Sequence, residues 1–162
     1  MLALLSLAFA GDPVALTVST TAFAPGETIP LQHTCSGADQ SPPLTWTGAP
    51  SNTTSFAVIV DDPDAPGGTW VHWTTWNLPA TTTGLPAGSS PGVQGITSWG
   101  SAGWKGPCPP KGSGAHRYFF RVYALDKVLP LTASATRTEL DRAMAGHILA
   151  QGEVMGKFWR DK

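Results

Sequence analysis

Charge is what this chain has least of. Acidic and basic residues together make up 13% of it, against roughly 25% in an average domain. The formal net charge is −1 and the pI about 6.4, so there is no basic footprint for nucleic acid or for an anionic membrane. Cysteine is nearly missing. Cys35 and Cys108 are the only two, and they form neither a C-x-x-C pair nor a zinc spacing. No apolar run reaches the roughly 18 residues of a membrane-spanning helix. There is no G-x-S-x-G elbow, no H-E-x-x-H and no H-x-E…P-C-x-x-C, which removes an α/β-hydrolase elbow and takes support from those zinc chemistries. The stretch "GPCPPKGSG" holds a lysine but lacks the order of a phosphate loop.

What is present in quantity is glycine, proline and tryptophan: 18, 15 and 7 residues. That composition predicts many turns, short strands and few long helices. At 162 residues the chain has the size of one domain. A domain of this length buries roughly two-thirds of its unfolded surface and needs no metal or disulfide to fold. The start, "MLALLSLAFAGDP", has the apolar run and the A-x-A site of a secretory signal, without its basic leading region. The expected division is a signal peptide over 1–10 and a single domain over 11–162, with a buried first strand as the alternative for the leading run. Export would make the protein periplasmic or secreted, and the even cysteine count would then favour a disulfide. A cytoplasmic protein would instead keep two buried free thiols. Asn52-Thr53-Thr54 is a glycosylation sequon only in a eukaryotic secretory pathway.

The chain shows no internal repeat and no dividing linker. Residues 14–22 alternate weakly and are β-branched, which predicts a strand; Thr45 to Thr47 predicts a short one. Phe56 to Val60 is continuously apolar and ends at Asp-Asp-Pro, which suits a strand buried on both faces. Thr69 to Leu78 is β-branched and aromatic, and strict alternation would put Trp70, His72, Thr74 and Trp76 on one face. Residues 79–114 read as loop. In His116 to Leu125, His116, Tyr118, Phe120, Val122 and Ala124 form a nearly apolar face. Helix is expected only near the end. Thr136 to Glu139 spells a capping box, Leu140, Met144 and His147 or Ile148 follow at helical spacing, and a second short helix is expected around Glu153 to Trp159.

Candidate chemistry gathers in "VDDPDAPGGTWVHWTTWNLP", residues 60–79. Asp62 and Asp64 lie in the turn that feeds one strand, His72 near the start of that strand, and His116 and Tyr118 near the start of another. Strand starts that meet would enclose Asp62, His72, His116 and Tyr118 within walls of Trp70 and Pro-rich loops. The bland account is that each histidine is a satisfied core residue, the aspartates a turn and the six tryptophans from Trp46 to Trp104 ordinary core.

Two motifs carry a resemblance. "DDPDAPGGTWVHWTTWNLP" is similar to the D-P-D-A-P and H-W elements, and "GPCPPKGSGAHRYFFRVYALD" to the G-x-P-P…G-x-H-R-Y element, of the phosphatidylethanolamine-binding proteins, or Raf kinase inhibitor family, in its bacterial and archaeal branch. "HTCSGADQSPPLTW" and "AMAGHILAQGEVMG" extend the likeness over about residues 16–159. The resemblance implies a mostly β fold: a large antiparallel sheet packed on a smaller one, with short C-terminal helices. It also implies an anion pocket for phosphoethanolamine-like groups, at Asp62, Pro66, Trp70, His72, Gly106, Cys108, His116 and Tyr118. Since both cysteine loops border that pocket in the family, it implies a Cys35–Cys108 disulfide. Departures are Thr97, where the family often has Asn, and Lys105, where it has Gly, the lysine bringing a charge to the pocket mouth. The tail is short, so kinase-regulating roles of animal relatives do not carry over.

The expected function is therefore binding without turnover of a phosphate-bearing small molecule or lipid headgroup, with no catalytic residue, no metal and no cofactor. Tyr118 and one or both histidines would donate to the anion, backbone N–H groups near Gly106 and Cys108 would add a concavity, and Asp62 would orient a histidine. A protein-inhibitor module is a further reading, since some family members inhibit proteases or kinases, with the partner here unknown; resemblance to bacterial members also implies a homodimer. The alternative is a phosphoester hydrolase in the same pocket, since two His and an Asp match a metal facial triad and an Asp–His pair a general base.

Overall fold

The computed structural model describes residues 13–161; the expected signal peptide lies outside the described residues. The strands run in chain order as β1 (Val14–Ala15), β2 (Thr17–Ser19), β3 (Leu44–Thr47), β4 (Ser55–Asp62), β5 (Trp70–Pro79), β6 (Gly84–Leu85), β7 (Val93–Gln94), β8 (His116–Leu125) and β9 (Ile148–Phe158), with helix α1 (Arg137–Met144) between β8 and β9. A larger sheet has the order β1-β9-β8-β4-β5-β7 and a smaller one the order β2-β3-β6. The larger sheet is antiparallel except at one edge, where β1 pairs with β9 in parallel. The weakly alternating 14–22 segment thus serves two sheets, one strand each.

β4 lies at the centre, and every one of its residues is buried. Its continuous apolar run is explained by a core on each face. Phe56, Val58 and Val60 pack with Leu44, Trp46, Trp73, Phe120 and Val154 between the two sheets. Ala57 and Ile59 pack with Trp76, Leu125, Leu129, Leu140 and Met144 beneath α1. Period-two alternation continues through the aspartates, so Asp61 and Asp62 leave on opposite faces.

β5 breaks its alternation. Trp73 opposes Val60 while Val71 opposes Asp61, which leaves His72 as an extra residue in a bulge. Trp70 and His72 therefore share the side of Asp62, whereas Thr74 and Trp76 turn to the α1 side; the four do not share one face as strict alternation would have it. A second irregularity falls at Asn77, at φ 58°. Its side-chain amide exchanges two hydrogen bonds with the Leu129 backbone.

The C-terminus holds a second correction. Only one α-helix occurs among the described residues. It starts at the expected capping box, with Thr136 accepting from the Glu139 N–H, and buries Leu140 and Met144. The second expected helix, around Glu153 to Trp159, is the strand β9 instead. Ala150, Val154, Gly156 and Phe158 point inward. Gly152 and Gly156 are not helix breakers here. A Cβ at Gly152 would collide with the Leu16 carbonyl, and one at Gly156 would come 2.6 Å from Ile29 and 2.7 Å from Phe23. Both let the N-terminal segment cross the sheet closely. Among the described residues no helix is long and apolar enough to cross a membrane.

Candidate functional site

The ends of β4, β5 and β8 and the loops after β4 and β7 enclose a cavity of about 280 Å³, lined in part by Asp62, Pro66, Trp70, His72, Cys108, His116 and Tyr118. Seven of the eight expected positions thus line one space. The register explains why. Trp70 opposes Asp62 across β4 and β5, β8 runs antiparallel on the other side of β4, and its even positions place His116 and Tyr118 on that same face.

Gly106 is the exception. Its N–H donates to Asp39 Oδ1 at 2.8 Å, so it is not available to an anion. Any Cβ there would strike Asp39 and the His33 carbonyl, which is why the position is glycine. Cys108 supplies the only N–H in the run Pro107-Cys108-Pro109-Pro110. Cys35 and Cys108 stand at disulfide distance, Cα atoms 5.4 Å apart. Lys105 is exposed and is not among the residues lining the cavity; its backbone acts as a clamp. Its N–H donates to the His72 carbonyl at 3.1 Å, and its own carbonyl accepts from His72 Nδ1 at 2.6 Å. Thr97 is buried and donates to the Ser101 carbonyl at 2.8 Å, away from the cavity.

The polar groups divide into engaged and open ones. His116 Nδ1 meets Asp62 Oδ2 at 2.8 Å, and its Nε2 meets Ser113 Oγ at 3.1 Å. Both ring nitrogens are therefore held inside the protein. Asp62 Oδ1 accepts from the Asp64 N–H at 2.8 Å. Asp64 itself is tied twice to the Arg117 guanidinium, which holds its carboxyl down at about 2. By contrast, the Tyr118 hydroxyl is wholly buried and has no hydrogen-bond partner among the described residues. Burial raises this phenol's pKa, and the nearby Asp62 carboxylate adds to the rise. His72 is the second open group. Its Nδ1–H is fixed on Lys105, so Nε2 keeps its lone pair. Burial lowers the pKa of the ring below its ordinary 6.5, against the opposing pull of the Lys105 carbonyl and of Asp62.

Trp99 was concealed in the sequence among tryptophans expected to be core. It is 42% exposed, lines the cavity and packs edge-on against His72 and Trp70, with ring centres 4.9 and 5.3 Å apart. Pro109 and Pro110, inside the second quoted motif, complete the wall. Ser113 was a loop residue by its surroundings, and only its distance to His116 marks it. Among the described residues no three His, Cys, Asp or Glu side chains cluster as a metal would require.

Comparison with known proteins agrees with this geometry. A family model described as Phosphatidylethanolamine-binding protein matches residues 19–159. A UPF0098 protein of Methanothermobacter thermautotrophicus is 45% identical over 152 residues, covering 90% of this chain and 99% of its own length. One of Chlamydia pneumoniae is 46% identical, covering 85% and 94%. Among solved structures, a Chlamydia trachomatis protein described as a phosphatidylethanolamine-binding protein homologue superposes with a TM-score of 0.86 at 38% identity, over 91% of this chain and 99% of that one. An E. coli protein described as a new member of the mammalian PEBP family gives 0.84 at 36% identity, over 92% and 100%. With sequence, sheet order and cavity in agreement, the chain belongs to the phosphatidylethanolamine-binding protein family.

Proposed function

We propose that the protein binds a small phosphate-bearing anion in the cavity walled by Trp70 and Trp99, without turning it over. One observation carries the reading: Tyr118 lines the cavity, and its buried hydroxyl has no hydrogen-bond partner among the described residues. An unmade hydrogen bond at a buried group costs about 1–3 kcal/mol, and an anionic oxygen would repay it with a charge-assisted bond. The Cys108 N–H adds a second donor to this reading. The roughly 280 Å³ of space accommodates a phosphate with a short substituent, below the range usual for larger ligands. Inhibition of a protease or kinase would be a further property that this pocket does not require. Calorimetric titration with inorganic phosphate and phosphoethanolamine tests the proposal. Saturable heat with either supports it, and its absence up to millimolar ligand rejects it.

A hydrolase in the same pocket has one observation in its favour: Ser113, His116 and Asp62 stand in line as hydroxyl, imidazole and carboxylate. The Pro110 carbonyl, however, lies 2.8 Å from Ser113 Oγ and competes with His116 for the one hydroxyl hydrogen. An activated nucleophile would have that hydrogen committed to the base. Hydrolysis of a nitrophenyl ester or phosphate that disappears in Ser113→Ala would favour this second reading.

A further inference from the structure

Resting on the anion-binding reading, we infer that the pocket selects phosphate that still carries a hydrogen, as inorganic phosphate or a phosphomonoester, over the phosphodiester of an intact lipid, with His72 Nε2 as the group that reads the hydrogen. The argument is one of donors and acceptors. His72 donates through Nδ1 to the Lys105 carbonyl at 2.6 Å, and the Lys105 N–H holds the His72 carbonyl in return. The ring is thereby locked, with Nε2 as an acceptor. The groups around it do not supply a hydrogen for that acceptor. Asp62 from β4 is a carboxylate already accepting from His116 and from the Asp64 N–H. His116 from β8 is engaged at both nitrogens. Asp39 is bound to the Gly106 N–H, and the Lys105 carbonyl is itself an acceptor. Tyr118 packs edge-on, with ring centres 5.2 Å apart, and makes no hydrogen bond to His72. Trp99 packs edge-on against the ring, with centres 4.9 Å apart.

A ligand satisfying this set must present an acceptor to Tyr118 and a donor to His72. A phosphomonoester monoanion does both at once, through P–O⁻ and P–OH. A phosphodiester has the first and lacks the second, so its oxygens would face the His72 lone pair with no hydrogen between them. Burial of His72 disfavours its protonated form, so the ring is a poor source of the missing hydrogen. A buried polar site rejects an analogue that leaves its groups unpaired more strongly than an apolar one rejects a misfit.

The full chain is titrated at pH 7 with methyl phosphate, dimethyl phosphate and glycerophosphoethanolamine. Methyl phosphate should bind at least tenfold tighter than either diester. In His72→Gln, whose amide can turn its NH₂ toward the ligand, the preference should shrink to within a few-fold while the sheet signal in circular dichroism is kept. Should that variant not fold, the unaltered protein decides through pH. The hydrogen-bearing share of a phosphomonoester, with a second pKa near 6, drops from about a half at pH 6 to about 1% at pH 8, so affinity for total methyl phosphate should fall about 50-fold over that span. Equal affinity for mono- and diester, or an affinity flat with pH, overturns the selectivity and leaves anion binding standing. Tight binding of glycerophosphoethanolamine alone overturns it too, because the hydrogen would then come from the ammonium. If neither methyl phosphate nor inorganic phosphate binds, the anion-binding reading falls first, and this inference with it.

Discussion

Tyr118 and His72 face the same cavity with opposite needs, and each can be tested alone. Tyr118→Phe removes a donor and almost no volume. Phosphate binding should weaken by about 1.5–3 kcal/mol, the usual range for a hydrogen bond to a charged group. Melting should stay level or rise slightly, because an unpartnered hydroxyl leaves the core. Unchanged binding with a lower melting temperature would make Tyr118 a packing residue. His72 has a stability consequence. Its folded pKa lies below the ordinary 6.5 because burial disfavours the imidazolium. The stability this provides is complete above 6.5 and is lost as pH falls toward the folded value, since the unfolded chain then takes up a proton the native one refuses. Chemical denaturation from pH 8 down to 5 should show that loss, and His72→Gln should remove its share of it. Neither open atom was legible in the sequence. A histidine's free nitrogen depends on what the other nitrogen meets, and here that is a carbonyl 33 residues away.

At the level of strands and helix, the bulge in β5 is the decisive feature. It inserts His72 between Val71 and Trp73 and sends His72 to the cavity while Trp73 stays in the core between the sheets. On the far face, Asp61 joins β4 to β8 and α1. It is 3% exposed and accepts from both Arg121 and Arg137, the latter at 2.7 Å. Asp61→Asn would leave two guanidinium groups facing each other at a buried site. It should cost about 2–3 kcal/mol, less than a fully buried pair because both arginines reach solvent. A drop in melting temperature with phosphate binding retained is the expected outcome, since Asp62 leaves on the other face. In β9, Gly156→Ala would place a methyl group against Ile29 and Phe23 and should cost about 1–3 kcal/mol by overpacking. A variant as stable as the parent would show that those side chains can give way.

For the molecule as a whole, the link between Cys35 and Cys108 matters most. The two are separated by 73 positions. A bond between them ties the loop before β3 to the proline-rich wall of the cavity. Closing a loop of that length stabilises by about 4 kcal/mol at most in the chain-entropy account. We expect the bond to form when the protein matures in an oxidising compartment. Reduction should then lower both the melting temperature and the affinity for phosphate, because the wall holding the Cys108 N–H loosens. Intact mass after alkylation with and without reductant decides the first point: two alkylated cysteines in the native, untreated protein would reject the bond.

The sequence by itself determined the strand-dominated class, the buried central β4, the alternation of β8, the capping box of α1 and seven of the cavity's residues. Those features are local. Apolar period, β-branching and turn chemistry act over a few neighbouring residues, and the quoted motifs carry the site types along with them. The tertiary structure alone decided that β9 is a strand, because its glycines answer to the close crossing of Leu16, Phe23 and Ile29. It also decided that His72 sits in a bulge, that Gly106 serves Asp39 and that Trp99 belongs to the cavity. Each of these depends on a contact between residues far apart in the chain, and a contact of that kind leaves no period or spacing in the sequence from which it can be read.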